Sequence, residues 1–107
     1  MMGQVRQEVL DEIIWRIVEV AQPEKIILFG SAVRGEMGPN SDVDLLVVKS
    51  DITHRGRLSG AIYMNLIGVG QAVDVIVVTP EDIKRYQHAI GLVIEPALQE
   101  GRVIYAT

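Results

Sequence analysis

Apolar residues recur at helical spacing near the start of the chain. Over residues 4–21 they form a single stripe, which predicts an amphipathic first helix ended by Pro23: Val5, Val9, Leu10, Ile13, Ile14, Ile17 and Val18. Residues 25–29 are a short apolar run closed by Gly30, the pattern of a strand. The opening of the chain therefore predicts a helix followed by a strand.

Two further apolar runs predict strands on either side of a second helix. Residues 42–49 begin polar and continue as a solid apolar run, and residues 72–78 form another strand. Residues 54–67 carry their apolar side chains on one side, as a helix does. A helical crossover joins parallel strands, so 42–49 and 72–78 are expected to be parallel. The loop 31–41 has room for only one helical turn, so 25–29 and 42–49 are expected to be antiparallel.

The last third of the chain predicts helices and an edge strand. Thr79 and Pro80 fit the N-cap and first position of a helix, and residues 81–100 read as two short helices broken at Gly91 and Pro96. Residues 103–105 follow Gly101 as an edge strand. This alternation indicates an α/β or α+β class, with a small mixed sheet flanked by helices. The length of 107 residues fits one domain, 1–107.

Charge and cysteine content exclude several classes of function. The formal net charge is −4, and this acidic balance disfavours nucleic acid as the main partner. Cysteine is absent, which excludes disulfides and thiolate metal sites. The first residues carry charges such as Arg6 and Asp11, so they are neither a signal peptide nor a membrane span. A cytoplasmic protein is expected.

Three sequence features predict one site: Gly30-Ser31, the pair Asp42 and Asp44, and Asp74. Residues i and i+2 of a strand point to the same face, so Asp42 and Asp44 project side by side. If strands 42–49 and 72–78 are parallel neighbours, Asp74 lies near Asp42 and Asp44 at one end of the sheet. Strand 25–29 is expected to be antiparallel to strand 42–49, so Gly30, which follows it, comes to the same end of the sheet.

Each feature is weak alone, but their convergence favours a metal–nucleotide site. Two carboxylates about 4 Å apart repel by roughly 4 kcal/mol at an effective dielectric near 20, so the cluster calls for cations. Oxygen donors suit two Mg²⁺ ions, or Mn²⁺. Gly30 allows close approach of a phosphate to the backbone, and Ser31 adds a hydroxyl donor at the start of a helical turn. Arg34 is predicted to pair with the triphosphate or with an acid of the cluster.

Residues 29–35, Phe-Gly-Ser-Ala-Val-Arg-Gly, and residues 41–48, Ser-Asp-Val-Asp-Leu-Leu-Val-Val, resemble the nucleotidyltransferase superfamily shared with DNA polymerase β. The resemblance is to its smallest branch, the minimal nucleotidyltransferases, and it implies their fold. It further implies that Asp42 and Asp44 bind two divalent ions, and that Asp74 binds one and helps activate an acceptor hydroxyl. Phosphates would lie on Gly30 and Ser31, and the further candidates for nucleotide binding are Arg34 and Ser41.

The resemblance implies transfer of a nucleoside monophosphate, expected to be AMP from ATP, to a hydroxyl group. Family members of this size often act as the antitoxin of a HEPN-type toxin RNase, and some modify that toxin with AMP. A non-catalytic antitoxin that binds nucleotide and neutralises its toxin by contact is the alternative. A small-molecule transferase of the aminoglycoside-modifying kind is less favoured, because 107 residues leave little room for an acceptor pocket. That shortage of surface predicts a homo- or hetero-oligomer.

Three large side chains outside these motifs have competing interpretations. Trp15 lies off the main apolar stripe of the first helix, and capping of the core is slightly favoured over anchoring a partner. Tyr63 and Met64 are interpreted as packing residues rather than as residues that stack on a base.

Overall fold

A computed structural model describes residues 5–38, 40–86 and 98–107 of the chain. Helices and strands alternate along it in the order α1 (Gln7–Ala21), β1 (Lys25–Phe29), α2 (Ser31–Arg34), β2 (Val43–Val48), α3 (Arg55–Asn65), β3 (Val73–Val78), α4 (Pro80–Tyr86) and β4 (Arg102–Ala106). The elements predicted up to residue 86 and the C-terminal edge strand are present, with ends that differ by up to three residues. Residues 87–97, on which the predicted break between two C-terminal helices falls, lie outside the described ranges.

The four strands form one mixed sheet in the order β3-β2-β1-β4. The pair β2 and β3 is parallel, whereas β1 is antiparallel to both β2 and β4. Helix α3 connects the two parallel strands, as the crossover rule predicts. The sequence-based expectations of a mixed sheet, of both pairings and of an edge strand near the C-terminus are therefore confirmed.

Helix α1 covers one face of the sheet because its apolar side chains recur at the spacing of helical turns. Its buried residues are Leu10, Ile13, Ile17 and Ala21. They pack, together with Ile62 of α3, on the side chains of the sheet that point to this face: Ile26, Leu28, Val43, Leu45, Val47, Val75 and Val77. This larger apolar cluster is the main core, and burial of its side chains is the chief favourable contribution to folding.

The opposite face of the sheet has a smaller apolar cluster. It consists of the alternate strand residues, with Ile83 of α4 and Leu98 packed against them: Ile27, Phe29, Leu46, Val48 and Val78. Helix α4 begins as predicted, since Thr79 Oγ1 accepts a hydrogen bond from the Asp82 amide at 3.0 Å and the Asp82 carboxylate accepts one from the Thr79 amide at 3.0 Å. This face carries fewer buried side chains among the described residues and leaves more room for polar groups.

Two predictions for large side chains are wrong. Trp15 has 60% of its surface exposed, so it does not cap the core. Met64 is 70% exposed and is therefore not a packing residue. Each lies two residues from a buried position on either side, Ile13 and Ile17 for Trp15 and Ile62 and Leu66 for Met64. At about 100° per residue, a helix points residues two apart in nearly opposite directions. None of the helices in the described part of the chain is both long and apolar enough to cross a membrane.

We expect Ile17→Ala to lower the free energy of unfolding by about 2–5 kcal/mol, since Ile17 is fully buried and truncation leaves a cavity. Trp15→Ala in the same helix is the matched control, with an expected loss below about 1 kcal/mol because Trp15 is largely exposed. Urea denaturation measures both. Equal losses in the two variants would contradict the described packing of α1.

Candidate active site

The parallel pairing of β2 and β3 brings two aspartates side by side. Asp44 and Asp74 are direct partners in the register of this pair. In β2 the side chain of Asp44 alternates with Val43 and Leu45, which point to the main core, so it projects from the opposite face. Asp74 alternates in the same way with Val75 of β3. Both carboxylates consequently emerge from the thinly covered face, at the end of the sheet where β2 and β3 begin.

Asp42 completes the cluster from the loop just before β2. It lies two residues ahead of Asp44, and its charge acts on that carboxylate. Partial burial raises the pKa of Asp44 above its usual value, and the negative charges of Asp74 and Asp42 raise it further. The neighbouring positive charge of Arg34 opposes this shift. The sequence-based expectation that the three acids lie near one another agrees with the strand register and these electrostatic interactions.

The chemistry of these donors fits a hard divalent cation such as Mg²⁺, since all of them are carboxylate oxygens. The positions of the three carboxylates do not by themselves form a metal site. Within the described ranges, no three or more His, Asp or Glu side chains stand in an arrangement ready to hold a metal ion. The strands therefore place the acids together, while their side chains are not gathered around one point.

Gly30 allows β1 to end against Asp44. Phe29, the last residue of β1, is the register partner of Asp44. The backbone of Gly30 has φ 75° and ψ −151°, a conformation that is essentially restricted to glycine. A Cβ atom at this position would overlap Asp44 Oδ2. Glycine is thus required twice, for the turn itself and for the close approach of the carboxylate.

Ser31 begins α2 directly beside this turn. The carbonyl of Gly30 accepts hydrogen bonds from the amides of Val33 at 3.1 Å and Arg34 at 3.3 Å, which closes the helical turn predicted from the sequence. The hydroxyl of Ser31 donates to Met37 Sδ at 3.5 Å. A thioether is a weak acceptor, so this hydroxyl can readily turn towards a stronger one such as a phosphate oxygen.

One of the two sequence-based alternatives expected Arg34 to pair with an acid of the cluster. In the structure it pairs with two glutamates instead. Its Nε donates to Glu36 at 2.7 Å and its Nη1 donates to Glu100 at 2.7 Å. These bonds, with Glu36 first, raise the pKa of the guanidinium. Glu100 is distant in the chain, and the short loop after α2 brings Glu36 back.

Ser41 shapes the loop that leads into β2. Its hydroxyl accepts a hydrogen bond from the Gly38 amide at 2.9 Å, and its carbonyl accepts one from Gln71 Nε2 at 3.1 Å. These bonds fix the residue immediately before Asp42. In this structure Ser41 therefore positions the loop that carries the first aspartate, and its hydroxyl accepts one hydrogen bond while keeping its own hydrogen to donate.

Tyr63 is part of the site, a role that the sequence-based interpretation as a packing residue missed. Its hydroxyl lies 3.3 Å from Asp74 Oδ1 and accepts a hydrogen bond from the Val75 amide at 2.8 Å. Partial burial is the main cause of its raised pKa, and the charges of Asp74 and Asp42 add to it. The sequence of α3 gives no hint of this contact, because it depends on how α3 lies along β3.

Comparison with known families assigns the chain to a family. The family model described as a nucleotidyltransferase domain matches residues 10–104, nearly the whole chain. The chain belongs to the nucleotidyltransferase domain family. The matched range contains Gly30, Ser31 and all three aspartates of the cluster. The predicted resemblance to nucleotidyltransferases is therefore confirmed, and nucleotidyl transfer is the activity of this family.

Solved structures similar to this nucleotidyltransferase share its fold. A chain of the toxin–antitoxin MntA–HpeT, in a form with two Asp-to-Glu mutations, matches with a TM-score of 0.56 and 20% identity over 88% of this chain and 71% of that one. A protein of Sulfolobus solfataricus, named provisionally as a nucleotidyltransferase, matches with a TM-score of 0.55 and 19% identity over 99% and 93%. A search of curated proteins gives no significant match. The polymerase-β-like nucleotidyltransferase fold is thus confirmed.

We expect Gly30→Ala to destabilise the domain by about 1–3 kcal/mol, because the new Cβ would meet Asp44 and the backbone conformation disfavours alanine. Gly68→Ala is the matched control, since Gly68 also has a positive φ, of 90°, but open space where the Cβ would lie. Thermal unfolding measures both. If Gly68→Ala were as damaging as Gly30→Ala, the contact with Asp44 would not explain the requirement for glycine.

We expect Asp44→Asn to raise the thermal stability of the metal-free domain at pH 7. The pKa of Asp44 is higher in the folded protein than in the unfolded chain, so its ionised form opposes folding at neutral pH. This cost disappears below the unfolded-state pKa of about 3.9, where both states are protonated. Melting temperatures from pH 3 to 8 should show an advantage for the variant that shrinks as the pH falls. An advantage that is constant with pH would exclude this cause.

Proposed function

We propose that this domain transfers AMP from ATP to a hydroxyl group of a partner protein, a HEPN-type toxin, and thereby acts as its antitoxin. The observation that carries the proposal is the pairing of Asp44 with Asp74 beside the Gly30 turn. An all-oxygen acidic cluster next to a glycine that lets the backbone come close suits a metal-bound triphosphate. Membership of the nucleotidyltransferase family supports the same chemistry.

Each residue of the cluster has a defined part in the proposal. Asp42 and Asp44 would hold two Mg²⁺ ions, and Asp74 would share one of them and accept the proton of the incoming hydroxyl. Bound Mg²⁺ supplies positive charge to the phosphates during transfer and to the departing pyrophosphate. Gly30 and Ser31 would place their backbone and hydroxyl groups against the β- and γ-phosphates.

A protein acceptor fits the limited surface around the cluster. The aspartates lie on the face of the sheet with the smaller apolar cluster, where the described residues offer few side chains to enclose a small acceptor. A partner could supply the missing wall of the site. The similarity in fold to a chain of the toxin–antitoxin MntA–HpeT supports a toxin as that partner. Arg34, held by Glu36 and Glu100, would reach the triphosphate only if one of these ion pairs opened.

We expect Asp42→Asn and Asp44→Asn each to reduce transfer by at least about 100-fold, the scale of losses when a group that stabilises transition-state charge is removed. The measurement incubates the chain and the protein that copurifies with it with Mg²⁺ and α-labelled nucleoside triphosphates. The label should appear on the partner, most strongly with ATP, and should require Mg²⁺.

Asp51→Asn is the matched control. Asp51 is an exposed aspartate beyond the far end of β2, in a left-handed conformation that asparagine tolerates. The Asp51→Asn variant should transfer at the wild-type rate. Transfer that survived in both cluster variants would exclude the proposed metal ligands. A stable complex without any labelling would instead support neutralisation of the toxin by contact.

A further inference from the structure

Tyr63 joins the outer edge of the sheet to the acidic cluster. Strand β3 lies at one edge, and the backbone groups of Val75 face away from β2. The Val75 amide donates to the Tyr63 hydroxyl at 2.8 Å, and the Val75 carbonyl lies 3.3 Å from the same hydroxyl. The tyrosine oxygen therefore occupies a position that a neighbouring strand would otherwise fill, and the backbone holds it there.

The single hydrogen of this hydroxyl has two acceptors within reach. Because the oxygen already accepts from the Val75 amide, its hydrogen points either to the Val75 carbonyl or to Asp74 Oδ1, each 3.3 Å away. An ionised carboxylate is the stronger acceptor of the two. The geometry thus favours a hydrogen bond from Tyr63 to Asp74.

Asp74 depends on this contact for its orientation. The residue is exposed, and the hydroxyl of Tyr63 is the partner that reaches its carboxylate among the residues the structure describes. Rotation about the last torsion of an aspartate is broad when nothing restrains it. Repulsion from Asp44, its register partner, would turn an unrestrained carboxylate away from the cluster.

Helix α3 sets the position of the tyrosine. Ile62, next to Tyr63, is fully buried in the main core, and Leu66 is buried one turn further on. These contacts fix the helix against β3, while the ring of Tyr63 stays 39% exposed beside it. The hydroxyl is therefore presented from a packed helix and not from a mobile loop.

We propose that Tyr63 is a positioning residue for Asp74: its hydroxyl holds Oδ1 at the sheet edge and leaves Oδ2 free for a divalent cation. The inference rests on the proposed function, since it assigns Asp74 to the metal site. Partners that orient a metal-ligating carboxylate commonly change metal affinity by 10–100-fold when they are removed.

The test compares Tyr63→Phe with the wild type and with Tyr105→Phe, which makes the same chemical change on the opposite edge strand. Free Mn²⁺, followed by its paramagnetic resonance in the presence of a non-hydrolysable ATP analogue, gives the metal affinity. We expect Tyr63→Phe to weaken Mn²⁺ binding by about 10-fold. In the transfer assay kcat should fall by a similar factor while KM for ATP changes by less than about twofold. Tyr105→Phe should match the wild type in both.

A double-mutant cycle separates positioning from a general loosening of the sheet edge, because Tyr63→Phe also removes the acceptor of the Val75 amide. In an Asp74→Asn background the same change should no longer affect Mn²⁺ affinity. An equal loss in both backgrounds, or an affinity unchanged from wild type, overturns the proposal. If the wild type binds Mn²⁺ but transfers nothing, the proposed function fails and the affinities still decide the role of Tyr63. A wild type that does not bind Mn²⁺ overturns both.

Discussion

Repulsion between two aspartates on neighbouring parallel strands is the constraint on which the rest of the site depends. Asp44 and Asp74 share one register position of the β2–β3 pair, so the backbone keeps the two residues side by side, and only the side-chain rotamers can separate their carboxylates. The apolar cluster beneath α1 stabilises the sheet from the other face and offsets this unfavourable pairing. The larger apolar cluster on one face of the sheet therefore supplies most of the stability, and the other face carries the aspartates beside the smaller apolar cluster.

The elements that carry the site are among the more rigid parts of the molecule. Asp44 and Asp74 lie on β2 and β3 of one sheet, and Gly30 directly follows β1, which pairs with β2. Groups mounted on regular elements hold their geometry better than groups on loops. Asp42 is the exception, and the hydrogen bonds of Ser41 to Gly38 and Gln71 restrain the loop that carries it.

Among the described residues, the arginine whose charge acts on the cluster is already paired with two glutamates. Arg34 acts on Asp44 but is bound by Glu36 and Glu100, so its field is partly compensated. Tyr63 contributes a neutral hydrogen bond. In the proposed function the balancing positive charge is that of the divalent cations, which links substrate binding to metal binding. This dependence follows from the ion pairs and not from the aspartates alone.

The sequence by itself determined the sheet, the order of its pairings, the approach of Gly30 to Asp44 and the pairing of Asp44 with Asp74. These follow from local periodicity and from the rule that a helical crossover joins parallel strands. Only the tertiary structure decided which side chains met across long separations. The ion pair of Arg34 with Glu100 and the contact of Tyr63 with Asp74 each depend on how one element is rotated against another. Periodicity fixes the buried face of a helix, but it does not fix which groups on other elements the polar side chains at the margins of that face will contact.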